Sequence, residues 1–246
     1  MNRTYFKATR PDGTDFHTGK VHWLPDDGAP IPEGGWLVEH PHPGEVGIWD
    51  AAFYLSASTV ETDCTGFQWP ARLLLVEPVG AVWTPHPDSF PHKRAAHAWR
   101  VVEELPAWRL FGPQGREVAA IIDRAEHLTG AQIEDLTAAW SAAQYPARVA
   151  ALDAALGAAR DAARDVARVA ARGAARHAAW DVTWVAVLGA TYGAAYGAAQ
   201  DSALSTAHGA RDVVLGWLVK DLISDEHFRT LTGPWEQVMG PIEVAA

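Results

Sequence analysis

Between Pro146 and Pro234 the chain contains no proline, and inside that span Ala158 to Val185, "AARDAARDVARVAARGAARHAAWDVTWV", repeats in units of four. Alanine is the strongest helix former and proline the strongest breaker, so this stretch has one regular conformation open to it. The third position of each unit is Arg160, Arg164, Arg168, Arg172 and Arg176, then Trp180 and Trp184, and after Leu188 Tyr192 and Tyr196. Four residues advance a helix about 40° past a full turn, so the arginines spread over about 160° of one side and the aromatics sweep the opposite side. Gly189, Gly193 and Gly197 form a small-residue ridge that lets another helix approach closely. Residues 147 to 201 in one helix would run about 80 Å, so a break near Gly173 or Gly189 is expected.

The five arginines are candidates for binding an anion or an acidic partner. Asp161–Arg164 and Asp165–Arg168 at spacing three also fit a solvated face. The aromatic ridge Trp180, Trp184, Tyr192 and Tyr196 reads as core or as a seam between copies. Val182 to Ala199 is uncharged over eighteen residues, but Ala, Gly, Thr and Tyr dominate it, which favours a buried helix over a membrane span.

The rest of the chain is built differently. Of 16 prolines, 12 lie at or before Pro106, and seven of the 12 tryptophans precede residue 112. Short apolar runs bounded by turn residues, "TYFKATRPDG", "GGWLVEHPHPG", "AAFYLSAS" and "ARLLLVEPVGAVW", predict strands. In "HKRAAHAWRVVEEL" (His92 to Leu105), Ala95, Ala98, Val101, Val102 and Leu105 fall at helical spacing and predict a helix. From Gly112 onward the pattern is helical, with Pro113 ahead of "GREVAAIIDRAEHL" and a capping box at Thr129 and Gln132. The expectation is an α+β protein: a β-rich part over residues 1–112, then an alanine-rich helical part over 113–246.

Net charge is −10, shared equally by the two parts, which counts against nucleic acid as a partner. The single cysteine, Cys64, cannot form an internal disulfide and reads as a packed thiol. The opening "MNRTYFKATRPDG" carries no apolar run after its basic residues, so a cytoplasmic protein is expected. Phosphate-loop, dinucleotide, zinc and nucleophile-elbow signatures are missing. His40 and His42 in "EHPHPGE", with His17, His22, His86, His92 and His97, lack the carboxylates or cysteines of a recognised metal site, so no metal is expected.

The run Gly47 to Gly80, "GIWDAAFYLSASTVETDCTGFQWPARLLLVEPVG", resembles the middle of the ADP-ribosyltransferase fold. The resemblance implies NAD as cofactor and four site residues: Arg10 toward the nicotinamide ribose, Tyr54 and Ser56 (with Ser58) on a second strand, and Glu77 polarising the ribose. "RPDGTDFHTG", "HKRAAHAWRVVEELPAW" and "DLISDEHFRTLTGPW" resemble two-part proteins of actinobacteria and their phages. That second resemblance implies a bacterial or phage source and the same layout, and no activity. The leading expectation is a non-catalytic binding protein without cofactor, joined to a protein partner or to itself, with the helical part as scaffold or oligomer seam. The alternative is an NAD-dependent ADP-ribosyltransferase.

Overall fold

The computed structural model describes residues 4–25, 29–64, 67–142, 145–162 and 200–242. It divides into two compact units, Met1–Leu110 and Phe111–Ala246. The first carries an antiparallel sheet and the described part of the second is helical, an α+β protein.

Six strands build the sheet: β1 (Tyr5–Thr9), β2 (Trp36–Glu39), β3 (Leu55–Ser58), β4 (Arg72–Val79), β5 (Lys93–Ala96) and β6 (Ala98–Leu105), in spatial order β2-β6-β4-β1-β3-β5. Alternation along the strands sorts the two faces. Leu74 and Val76 of β4, Tyr5 of β1, Leu55 and Ala57 of β3, and Trp99 and Val101 of β6 share one core with Trp23. Tyr5 stands edge-on to Trp99 at 5.3 Å between ring centroids, and the Trp99 indole N–H donates to the Leu55 carbonyl at 3.2 Å. Pro78 sits where β4 has run past its last partner on β1 and is paired with β6 alone, as a proline inside a strand requires. After β1 the chain turns back on itself, with Arg10 N–H donating to the Thr14 carbonyl at 2.8 Å. The buried Asp15 carboxylate holds that loop, accepting from Thr18 N–H and Thr18 Oγ1 at 2.6 Å and from Val21 N–H at 3.0 Å.

The helix expected over His92–Leu105 is not present. The segment is β5, a bend at His97 and β6. Its apolar residues satisfy both periods, but the helical count leaves out Trp99, the largest side chain of the stretch. With period two, Trp99 and Val101 point into the core while Arg100 and Val102 stay exposed. Pairing settles the ambiguity, because β6 is bonded on both sides, to β2 and β4, and two adjacent valines and a tryptophan suit a pleated surface.

Five α-helices are described in the second unit: α1 (Gly115–Ala125), α2 (Gly130–Ala142), α3 (Tyr145–Ala162), α4 (Gln200–Leu218) and α5 (Asp225–Met239). In α1 the buried Val118, Ile121, Ile122 and Ala125 follow the i, i+3, i+4, i+7 stripe of an amphipathic helix. The capping box ahead of α2 is formed: Thr129 N–H donates to Gln132 Oε1 at 2.9 Å, and Gln132 N–H to Thr129 Oγ1 at 3.3 Å. Ser224 caps α5 in the same manner, accepting from His227 N–H at 3.2 Å. Ala151 and Ala155 of α3, Leu215 of α4, Val219 just after α4, and Leu231 of α5 form one core cluster. Trp140 of α2 lies flat against Gly209 of α4, where a β-carbon would come within 2.2 Å of the indole.

Among the described residues no helix is long and apolar enough to cross a membrane. Arg160 falls in α3 with its side chain outside the described set. Arg164, Arg168, Arg172 and Arg176, the ridge Gly189, Gly193 and Gly197, the aromatics Trp180, Trp184, Tyr192 and Tyr196, and the uncharged stretch 182–199 lie outside the described residues.

Candidate functional site

The four residues singled out by the transferase resemblance do not all meet. Arg10 follows the Thr9–Arg72 pair at one end of the β1–β4 ladder, and Glu77 follows the Tyr5–Val76 pair at the other. Six positions of strand separate them, about 20 Å. The Arg10 guanidinium lies over Gly19, inside its own loop, and Glu77 is opposite Arg100 of β6. Tyr54 is buried, edge-on to Trp83 at 5.9 Å, and burial raises its hydroxyl above the ordinary range. Ser56 and Ser58 lie elsewhere, in a small polar cavity between β1 and β3.

That cavity exists because the sheet opens there. β1 pairs with β4 over five residues, but with β3 through Phe6 and Ser58 alone. Beyond that pair β1 continues against β4 alone, with Ala8 opposite Leu73. Lys7, Ser56, Ser58, Asp63, Cys64 and Lys93 line the space. Strand alternation puts the Lys7 side chain on the inner face with Tyr5 and Thr9, opposite to the face shared by Phe6 and its register partner Ser58. Asp63 and Cys64 arrive on the turn after β3.

Each ionisable group in the cavity is displaced by burial. The Lys7 ammonium sits 4.8 Å from the Trp23 ring centroid; desolvation pulls its pKa down to about 8, the nearby Lys93 charge adds to the fall, and Asp15 opposes it. The Lys93 ammonium stands 5.6 Å from the Tyr54 centroid and 5.7 Å from that of Phe90, and burial lowers it too. Asp63 is 5% exposed, desolvation pushes its carboxyl up to about 6, and its Oδ2 is sealed without a hydrogen-bond partner. Burial drives the Cys64 thiol up to about 12, so it stays protonated and unreactive at neutral pH, as a packed thiol should.

Lys93 also joins the cavity to an aromatic surface. Phe90 meets His86 at 6.1 Å and His86 meets Trp49 at 6.5 Å, all edge-on. Trp49 is 71% exposed and Phe90 38%, with Val46 and Phe53 exposed on the same loop as Trp49. Trp83 is anchored behind this surface, its indole N–H donating to the Ile48 carbonyl at 2.8 Å and its ring edge-on to His97 at 5.1 Å.

The histidine pair ahead of this loop is not arranged as a metal site. His40 Nδ1 accepts from the His42 N–H at 3.1 Å, and among the described residues no three His, Cys, Asp or Glu side chains are grouped to hold a metal ion. Sequence reading missed Lys7, Lys93 and Asp63. Lys7 carried a usable signal, since alternation in "YFKAT" places a lysine between two inward residues. Asp63 carried none, because an acidic residue in a turn is ordinarily solvated.

No family model, curated protein or solved structure matches the chain.

Proposed function

We propose that this is a non-catalytic binding protein whose sheet unit engages a protein partner through the surface formed by Trp49, His86 and Phe90. The observation that carries the reading is the exposure of Trp49, 71%, within a connected row of rings. Large aromatics in contact with one another and open to water are what protein interfaces concentrate at their centres. Val46 and Phe53 extend the exposed apolar area. The helical part serves as scaffold or as a seam between copies, a role supported by the sequence ridge of Gly189, Gly193 and Gly197. A cytoplasmic setting in a bacterial or phage-infected cell fits the lone Cys64 and the resemblance of the sequence. The reading calls for no cofactor.

The test is capture of partners from bacterial lysate with wild type and Trp49→Ala/Phe90→Ala, with light scattering on the purified protein. A partner, or a second copy, held by wild type and lost by the double variant is the expected result. A monomer with no captured protein overturns it. Labelled NAD supplies the opposing arm: label transferred by wild type and not by Glu77→Ala replaces a binding protein with an ADP-ribosyltransferase.

A further inference from the structure

One edge of the sheet is open. β2 pairs with β6 on one side, and among the described residues no strand pairs with the other. The opposite edge strand, β5, is closed at Ala95, which exchanges two backbone bonds with Trp83, at 2.8 and 3.1 Å. An unpaired edge presents N–H and C=O groups that a further strand can satisfy, and proteins block it with charges, proline or a bulge. β2 has neither proline nor bulge, and its one charge, Glu39, stands at its end.

The phase of the ladder decides which groups face outward. His40 N–H donates to the His97 carbonyl at 2.8 Å, so Trp36, Val38 and His40 bond to β6 while Leu37 and Glu39 turn their N–H and C=O away from it. The flanking outward positions offer no donor. Gly35 N–H is tied to the Pro32 carbonyl at 2.8 Å, and Pro41 has no N–H. The usable edge is therefore Leu37 and Glu39, centred on Val38. A second β2 laid antiparallel about a two-fold axis at Val38 sets Leu37 of each copy opposite Glu39 of the other, and all the outward N–H and C=O groups of these residues pair. The same register sets Gly35 against Pro41 of the other copy, so the two positions without a donor face each other.

The side chains fit this register. Leu37 is 46% exposed, and Glu39 is exposed on the same face, with Arg100 beside Leu37 on β6. The missing side chain of Gly35 lets the Arg100 stem lie across β2, where a β-carbon would come within 2.6 Å of Cγ. Among the described residues neither Glu39 nor Arg100 has an ion pair. In the two-fold pair each Leu37 lies between its own Arg100 and the Glu39 of the other copy, two strands and about 10 Å apart, a gap that an arginine stem spans. Unlike charges are matched twice across the axis.

We propose that the protein associates with a second copy of itself edge to edge through β2, joining two sheets into one, with Arg100 and Glu39 as the charged pair across the axis. Because β5 is closed and the two-fold pairing uses both open edges, assembly stops at two copies. The contact uses none of Trp49, His86 and Phe90, so a failed partner search leaves it standing and the reverse also holds.

The test is sedimentation velocity on the full-length protein from about 1 μM to about 1 mM. A short strand pair is smaller than a standard interface, so the dimer should grow in across this range. Leu37→Lys, Glu39→Arg and Arg100→Glu should each weaken it at least about tenfold. Glu39→Arg/Arg100→Glu should return it to within about threefold of wild type. Circular dichroism checks folding, and Glu39→Arg, at an exposed position, is the variant to rely on if another fails. Cysteine pairs read the register. Leu37→Cys mixed with Glu39→Cys should link under mild oxidation, because facing residues stand about 5.5 Å apart. Leu37→Cys alone should not link, because its two copies stand about 8 Å apart, beyond disulfide reach; the native Cys64 is buried. A chain that stays monomeric throughout overturns the proposal, even if it captures a foreign strand at β2. So does a dimer untouched by the β2 variants, or one lost only with Trp49→Ala/Phe90→Ala, which moves the contact to the aromatic surface. Equal linking of Leu37→Cys alone and of the mixture overturns it as well.

Discussion

Asp63 and Asp15 are both buried carboxylates of the sheet unit, and their partners give them opposite pH behaviour. For Asp63, desolvation lifts the pKa from the ordinary 3.8 to about 6. The folded state therefore holds the proton more tightly than the unfolded chain, and the stability this contributes is complete below about pH 4 and lost as pH rises through about 6. Asp63→Asn should accordingly be more stable than wild type by about 2 kcal/mol near pH 8 and equal to it near pH 4, read from urea midpoints at the two pH values. An asparagine variant that is less stable near pH 8 would mean the carboxylate already has a donor. For Asp15, burial pushes upward, but the donors at Thr18 and Val21 and the charge of Lys7 overcome it and set the pKa at about 2. That contribution is present above about pH 4 and lost as pH falls through about 2. Asp15→Asn should cost about 2 kcal/mol at neutral pH and nothing near pH 2, checked by the same urea series. Little of this was visible in the sequence. Alternation placed Lys7 inward, but the closure of the Asp15 loop and the sealing of Asp63 depend on residues that meet only after folding.

Where local chemistry decides an element, the sequence was a sufficient guide. The Thr129 and Gln132 spacing predicts a capping box, and both reciprocal bonds are formed. Thr129→Ala should cost about 1 kcal/mol, measured as a fall in the midpoint of the helical signal. Where long-range pairing decides, the guide failed. Ala95, Ala98, Val101, Val102 and Leu105 mark a helical stripe as well as they mark two strands, and only the neighbours β2, β3 and β4 select the strands. Gly209 belongs to the same class. Nothing in "STAHGARD" announces that an indole will lie on it, yet a β-carbon there would come within 2.2 Å of Trp140. Gly209→Ala should therefore destabilise by about 3 kcal/mol despite the better helix propensity of alanine. A stable Gly209→Ala, by thermal melt, would show that Trp140 has a second place to go.

At the scale of the molecule, the shift from a proline-rich half to a proline-poor helical half separates two kinds of core. The sheet core is aromatic, built on Tyr5, Trp23 and Trp99; the helical cluster around Ala151, Ala155, Leu215 and Leu231 is aliphatic and close-set. The two clusters share no residue, and each comes from a continuous half of the chain. This much follows from composition, because proline and bulky β-formers exclude long helices while alanine invites them. The pairing order of the strands does not follow, since β1 finds its neighbours in β3 and β4, more than forty residues away. Separate cores have a measurable consequence. Leu74 is completely buried in the first and Leu231 nearly so in the second, and truncating either to alanine removes three methyl-sized groups from a packed interior, a loss of about 2–5 kcal/mol. Leu74→Ala should lower the hydrogen-exchange protection of the β4 amides and leave that of the α5 amides in place. Leu231→Ala should do the reverse. If each substitution lowers both signals together by the same amount, the two cores unfold as one cooperative unit, and the division at residue 110 is one of architecture without a division of stability.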